Sequence, residues 1–440
     1  MSFARALRAV GGVAVTGALL FGTAPVAAAD ETRAAQWPLE SFEAEQVWQK
    51  ATGKGVTVAV IDTAINGKHP DLQGNVLKGK SFIDGVPAAD QETSEDHGTS
   101  MASIIAAHGH GPGNADGVKG LAPDAKILPV ALPTFANGTG DADLGDAIRY
   151  AVDAGATVIN MSIAPGSLTG VDEQAIAYAV QKDVLLVAGA GNEGKELSPL
   201  AASPGVVGVG AVGANGRPWE DSNHGSALML TAPGVHIRSA AASKPYRQAS
   251  GTSDATAYVS AAAALLRSKF PNLTAGQIAN RLVKTAGMPP GMEGTKLPDP
   301  FYGYGFIRPL RALSQDIPAG SKNGPLKAPV AQPSSGPGSA NAASGGNQQA
   351  GDKKSAGIST GVLVGVGVGV LVVIAIIVIA VVVSQKKNRR NGPPPGGPGG
   401  PGGWGGPGGP GGAPYPPNAY QQQPSAPGAY PYPPQQPPAQ

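Results

Sequence analysis

The chain contains no cysteine. That excludes disulfides, a thiolate nucleophile and a cysteine-bound zinc site, and it leaves non-covalent packing to hold the fold. Charge is also sparse: Asp, Glu, Lys and Arg make up 14% of 440 residues, with a net charge of +2. A chain so weakly charged carries no nucleic-acid footprint. No cofactor fingerprint is present either, since the GxG strings near Gly208 and Gly365 lack the strand–turn–helix context of a dinucleotide site.

The two ends are addressed to a membrane. Arg5 and Arg8 precede an apolar stretch from Val10 to Phe21 and then Ala27, Ala28 and Ala29, the layout of a secretory signal peptide over 1–29. Near the other end, 360–383 is an uncharged Val-, Ile-, Leu- and Gly-rich run followed by Lys386, Lys387, Arg389 and Arg390. Its length suits a transmembrane helix, and the basic flank places 384–440 in the cytoplasm. The expected order is an N-terminal arm over 30–50, a globular domain over 51–315, a flexible linker over 316–359, the single span, and a Pro/Gly-rich tail too apolar-poor to fold. The globular domain then lies outside the cell membrane.

Inside that domain strand-like and helix-like segments alternate. VTVAVID, KILPVAL, TVINMSI, VLLVAGA and VVGVGAV read as strands, while DADLGDAIRYAVDAGA, DEQAIAYAVQKD and AGQIANRLVKTA read as helices. Apolar runs without strict alternation, separated by helices, predict an α/β fold with a parallel sheet covered on both faces.

Three residues stand out. Asp62 closes the first apolar run, His97 precedes the helix-compatible MASIIAA, and Ser253 lies in SGTSDATAYVSAAAALL, where a glycine turn enters a small-residue helix. A serine hydroxyl needs an adjacent base to become nucleophilic. Histidine can take that proton near neutrality, and a carboxylate fixes the imidazole tautomer. In isolation Asp62 also reads as a turn residue, His97 as a helix-start residue and Ser253 as an N-cap. Together, in the order Asp, His, Ser, they form one of the known triad orders. Asn192, in the glycine-rich turn after VLLVAGA, supplies an amide for an oxyanion; otherwise it is a turn asparagine.

DTAING, HGTSMA, VLLVAGAGNEG and SGTSDATA resemble the blocks of the subtilisin-like serine proteases, from about Trp37 to about Leu313. The resemblance implies a serine endopeptidase with Asp62, His97 and Ser253 as triad and Asn192 as oxyanion donor. It implies that VINMSIAPG pairs with an extended peptide, with Ser162, Ile163 and Ala164 on one wall of the primary pocket and Ala188, Gly189 and Ala190 on the other. The arm AAQWPLESFEAEQVWQKATGKG, the tether and the span resemble the mycosins, membrane-anchored subtilases of type VII secretion systems. That implies a secreted polypeptide substrate and contact with secretion-complex subunits.

The chain departs from the family at Ala64, Asp254 and Ala257, where the family usually has glycine, an apolar residue and proline. Asp254 follows the nucleophile, so it is expected to oppose oxyanion charge or to select a basic residue on the leaving side. This departure leaves a second reading open, a weak or inactive subtilase serving as a structural part of a membrane complex. His108 and His110 read as a solvated loop rather than a metal site, and Asp84, Asp90 and Asp96 lack EF-hand spacing.

Overall fold

A computed structural model describes residues 31–90, 92–133, 144–292 and 294–329. Its strands are β1 (Thr57–Asp62), β2 (Lys80–Ser81), β3 (His108–His110), β4 (Asp116–Lys119), β5 (Lys126–Ala131), β6 (Val158–Met161), β7 (Leu185–Gly189), β8 (Val206–Val212), β9 (Leu230–Pro233), β10 (Ile237–Ala240) and β11 (Tyr246–Ala249). Its helices are α1 (Glu31–Ala34), α2 (Trp37–Ser41), α3 (Ala44–Trp48), α4 (Asp96–Ala106), α5 (Leu144–Asp153), α6 (Gly170–Gln181), α7 (Pro199–Ala202), α8 (Thr252–Lys269), α9 (Ala275–Thr285) and α10 (Pro309–Ser314).

Seven strands form one sheet in the order β2-β5-β1-β6-β7-β8-β9, and every neighbouring pair is parallel. Successive side chains of a strand point to opposite faces. Val58 and Val60 therefore enter the core that holds α4 and α8, while Ala59 and Ile61 enter the one beneath α5 and α6. With both faces covered, the strands need no polar alternation, which is why β1, β5, β7 and β8 were visible as apolar runs. The chain adds β5 on one side of β1 and then crosses over to place β6 on the other. Open α/β sheets bind ligands beyond the carboxyl ends of the strands at such a reversal, and Asp62 is the last residue of β1.

Helix α8 runs buried from Thr252 to Arg267. A helix apolar or small on all sides belongs inside a domain, and its run of alanines and serines lets neighbours approach closely. Helices α6 and α9 each open with a capping box, Thr169 with Asp172 and Thr274 with Gln277, which satisfies donors that a helix start leaves free.

The segment 30–50, expected as an arm, is fastened to the domain. Arg33 donates to the carbonyls of Gly117 (2.9 Å), Asn114 (3.2 Å) and Asp116 (3.2 Å). Gln36 exchanges two bonds with the backbone of Lys119, and Trp37 and Trp48 donate their indole N–H to Val235 O and Leu121 O. The expected linker boundary at 316 needs correction. Thr274, Gln277, Asn280 and Arg281 of α9 and its cap donate to carbonyls between Ile317 and Lys322, so the folded part runs beyond 315. The expected signal segment, the expected span over 360–383 and the expected tail lie outside the described residues. Among the described residues no helix is long and apolar enough to cross a membrane.

A buried polar chain joins the sheet to α8. Ser260 Oγ donates to Asn160 Oδ1 (2.9 Å), Asn160 Nδ2 donates to Ser162 Oγ (3.0 Å), and Ser162 Oγ donates to Ser253 O (2.9 Å). Asn160 and Ser260 have no exposed surface, so neither can turn to water. Replacing Asn160 with Ala strands the Ser260 hydroxyl. The expected result is a loss of about 1–3 kcal/mol in denaturant unfolding, with the far-ultraviolet circular dichroism spectrum unchanged.

Candidate active site

The expected catalytic and pocket residues, apart from those of the helix starts, come from the carboxyl edge of the sheet. Asp62 ends β1, Ser162 follows β6, and Asn192 follows β7. His97 is the second residue of α4 and Ser253 the second of α8, as the helix-start readings anticipated.

His97 Nδ1 donates to Asp62 Oδ1 at 2.7 Å. The Thr63 amide donates to the same oxygen at 2.8 Å, which holds the carboxylate in place. Asp62 is 2% exposed, whereas a third of the His97 side chain reaches solvent. The start of α4 presses on the strand end: a Cβ on Gly98 would fall 2.3 Å from Thr63 O, and Gly98 N donates to Thr63 Oγ1 at 2.9 Å. Only glycine fits there, and the contact fixes how His97 meets Asp62. Asp96 in turn accepts from the amides of Ala242 and Ser243 and from the Ser243 hydroxyl, so the segment between β10 and β11 is tied to the residue before His97. Burial acts to raise the Asp96 carboxyl, but these bonds outweigh it and hold the group below its ordinary value.

Burial works against the charged form of His97, yet the charge and hydrogen bond of Asp62, and then the charge of Asp254, outweigh it. The imidazole lies above its ordinary value, with Arg247 opposing. Nδ1 is committed to Asp62, so Nε2 is the nitrogen left to act as a base.

Ser253 Oγ donates to Ser162 O at 3.2 Å; among the described hydrogen bonds none joins it to His97. In apo structures such contacts are often loose and tighten with substrate. Asn192 Oδ1 accepts from Thr252 N and Thr252 Oγ1, both at 2.9 Å. It therefore caps α8 from a separate loop, where the local N-cap residue Gly251 has no side chain to do so. With the carbonyl oxygen anchored, the amide nitrogen faces the glycine turn: Nδ2 lies 3.8 Å from the point where a Cβ on Gly251 would sit. An N–H group preset beside the Ser253 backbone is the geometry that stabilises an oxyanion.

The residues expected to wall the pocket are placed unequally. Ser162 exchanges two bonds with Ser253, Ile163 is nearly buried and Ala164 is exposed. Ala188, Gly189 and Ala190 are buried along and just after β7, and a Cβ on Gly189 would come 3.2 Å from Thr252 Oγ1.

Two expectations need correction. Asp254 does not face substrate: it is 1% exposed, because its place in α8 turns it into the protein. The histidine segment is not a solvated loop but a small hairpin of β3 and β4. Asp71, fully buried, accepts from His110 Nδ1 (2.5 Å) and Val118 N (2.9 Å). Asp71 was a residue the sequence reading missed; its only sign in the chain was a carboxylate between the apolar Pro70 and Leu72.

Residues 53–305 match the Subtilase family. A thermophilic serine proteinase of Bacillus sp. (strain AK1) is 37% identical over 63% of this chain and 67% of its own length. The crystal structure of MycP1 from Mycobacterium smegmatis superposes with a TM-score of 0.56 at 29% identity, over 66% of this chain and 87% of that one. A further structure, described as the serine protease MycP1, an essential component of the type VII (ESX-1) secretion system, gives 0.56 at 30% identity over 67% and 91%.

Burial pushes the Asp254 carboxyl up to about 6, with Arg247 and His97 pulling it back. An unfolded carboxyl titrates near 3.8, so between these values the folded state binds more protons and stability falls as pH rises. Above about pH 6 the full cost, on the order of 3 kcal/mol, is present. Thermal melts of Asp254→Met are expected to lose less stability between about pH 4 and 7 than wild type.

Proposed function

Because this chain belongs to the subtilase family and is a serine endopeptidase, we propose that it is an exported, membrane-tethered peptidase that serves a type VII secretion system. It hydrolyses peptide bonds of a secreted or surface polypeptide through an acyl-enzyme on Ser253. The observation that carries the mechanism is the 2.7 Å bond from His97 to Asp62, made beside the start of the helix that bears Ser253.

In that mechanism His97 Nε2 takes the Ser253 proton as the hydroxyl attacks the scissile carbonyl. Asp62 holds the tautomer and stabilises the imidazolium. Asn192 Nδ2 and the Ser253 amide receive the oxyanion. His97 then gives its proton to the leaving amine, and water resolves the ester by the same route. The peptide lies extended along 158–166, where backbone pairing to a strand edge is a known recognition mode. The link to secretion is supported by the likeness to MycP1, by the signal-like start and by the apolar run 360–383.

A second reading, a quiet subtilase with a structural role, draws on the Ser253 hydroxyl being bonded to Ser162 O instead of to His97. A fluorophosphonate probe separates the two. Labelling of wild type but not of Ser253→Ala supports the peptidase; no labelling of the folded chain supports the quiet form. In the active case Asn192→Ala is expected to lower kcat by about 100- to 1000-fold. Cell fractionation tests the tether: the full chain should sediment with membranes, and a chain ending at 359 should be released.

A further inference from the structure

The loop between β10 and β11 closes one side of a cleft of about 760 Å³, a size that suits a small ligand or a few side chains of a larger one. Both sides of that loop are held. On one, Asp96 accepts the amides of Ala242 and Ser243. On the other, His69 Nε2 donates to Pro245 O at 2.8 Å, while its Nδ1 accepts from Asp71 N at 3.2 Å. The Tyr246 ring stands edge-on to His69, with centroids 5.7 Å apart. The wall of the cleft is therefore fixed before any ligand arrives, and binding need not order it.

The lining is cationic. Lys68 and Lys244 are exposed there, and neither ammonium has a hydrogen bond or ion pair among the described residues. His110 lines the cleft as well. Its Nδ1 is committed at 2.5 Å to Asp71, which is fully buried, so Nε2 is the ring atom left for a ligand. Against these stands one carboxylate among the described residues of the lining, Glu92. Like charges gathered in a concave surface repel one another and attract an anion. A buried carboxylate persists only where it is paired. Asp71 is paired with His110 and with the Val118 amide, and it can balance the charge of the ring when Nε2 donates to an anion.

The cleft adjoins the candidate active site. Ala242 and Ser243 line it and bond to Asp96, the residue before His97, and β11 runs from its wall toward Ser253. His97 hands its proton to the leaving amine, so the polypeptide on that side of the scissile bond departs from the imidazole. We propose that the cleft is a second binding site of the peptidase, which takes acidic side chains of the polypeptide substrate on the leaving side of the scissile bond. This rests on the reading of Asp62, His97 and Ser253 as the triad. Lys68 and Lys244 supply the charge, and His110 Nε2 supplies a directed donor backed by Asp71. Glu92 turns basic segments away, which gives the site selectivity by repulsion as well as attraction.

The test uses the full chain carrying Ser253→Ala, so that binding is read without cleavage. The probes are fluorescein-labelled peptides of one sequence, with Glu or with Gln at the second to fourth positions after the scissile bond. In anisotropy titrations at low ionic strength the Glu peptide should bind about three- to tenfold more tightly, an advantage that fades as salt screens it. In Lys68→Gln/Lys244→Gln the two peptides should bind alike. Both positions are exposed, and each single variant should lose part of the advantage. Equal binding by the parent, or a Glu advantage that survives in the double variant, overturns the site. The same advantage from Glu placed on the acyl side overturns the leaving-side assignment. Displacement of the Glu peptide by inorganic phosphate or by a short-chain phosphatidylglycerol, at concentrations where the Gln peptide displaces nothing, overturns the polypeptide in favour of a free anion or a lipid. If wild type takes up no fluorophosphonate, the triad reading beneath the proposal is overturned instead, whichever peptide binds.

Discussion

The hydrogen bond from His97 to Asp62 is the contact around which the carboxyl edge of the sheet is arranged. Asp62 sits where β1 ends, with almost no access to water, so it depends on the protein for partners, and Oδ2 has none among the described residues. Oδ1 takes the Thr63 amide and the imidazole. To deliver that imidazole, α4 must begin against the strand end, and it does so only because residue 98 is glycine. Asp96 then gathers the backbone at Ala242 and Ser243, which settles β10 and β11 and, with them, Arg247. A short chain of local necessities thus reaches from one strand terminus to the far side of the site.

Helix α8 supplies the other half. Its small side chains let it pass through the core against β6, β7, β8 and β9, and its first turn emerges at the site. The cap that its own sequence cannot provide comes from Asn192. One side chain thereby does two things: its oxygen ends the helix and its nitrogen is left beside Gly251. That coupling makes the placement of Ser253 and of the amide a single geometric fact.

Much of this was legible from the chain. Strands β1, β5, β6, β7 and β8 and helices α5, α6 and α9 follow from apolar runs alternating with helix-like segments, and the helix-start placement of His97 and Ser253 follows from the residues around them. The rest depends on contacts that no local pattern encodes. Strand β9 is four residues long, and the β3–β4 and β10–β11 hairpins are short and polar. Asp254 was expected to act on the oxyanion or the leaving side because it follows the nucleophile in sequence, but a helix turns each residue by a fixed angle, and position 254 is buried. The linker was read as starting at 316, whereas carbonyls need only donors, and α9 offers three and its N-cap Thr274 a fourth.

The N-terminal fastening has a consequence for how the surface can vary. Arg33, Gln36, Trp37 and Trp48 reach main-chain carbonyls, and a carbonyl is the same whatever side chain it bears. The receiving positions Asp116, Lys119 and Val235 can therefore drift in sequence while keeping their grip, provided the backbone path, held by Gly117, Gly120 and the buried Val118 and Leu121, is preserved. The donors have no such latitude. Natural diversity along this seam should be lopsided, with fixed residues on one partner and changeable ones on the other.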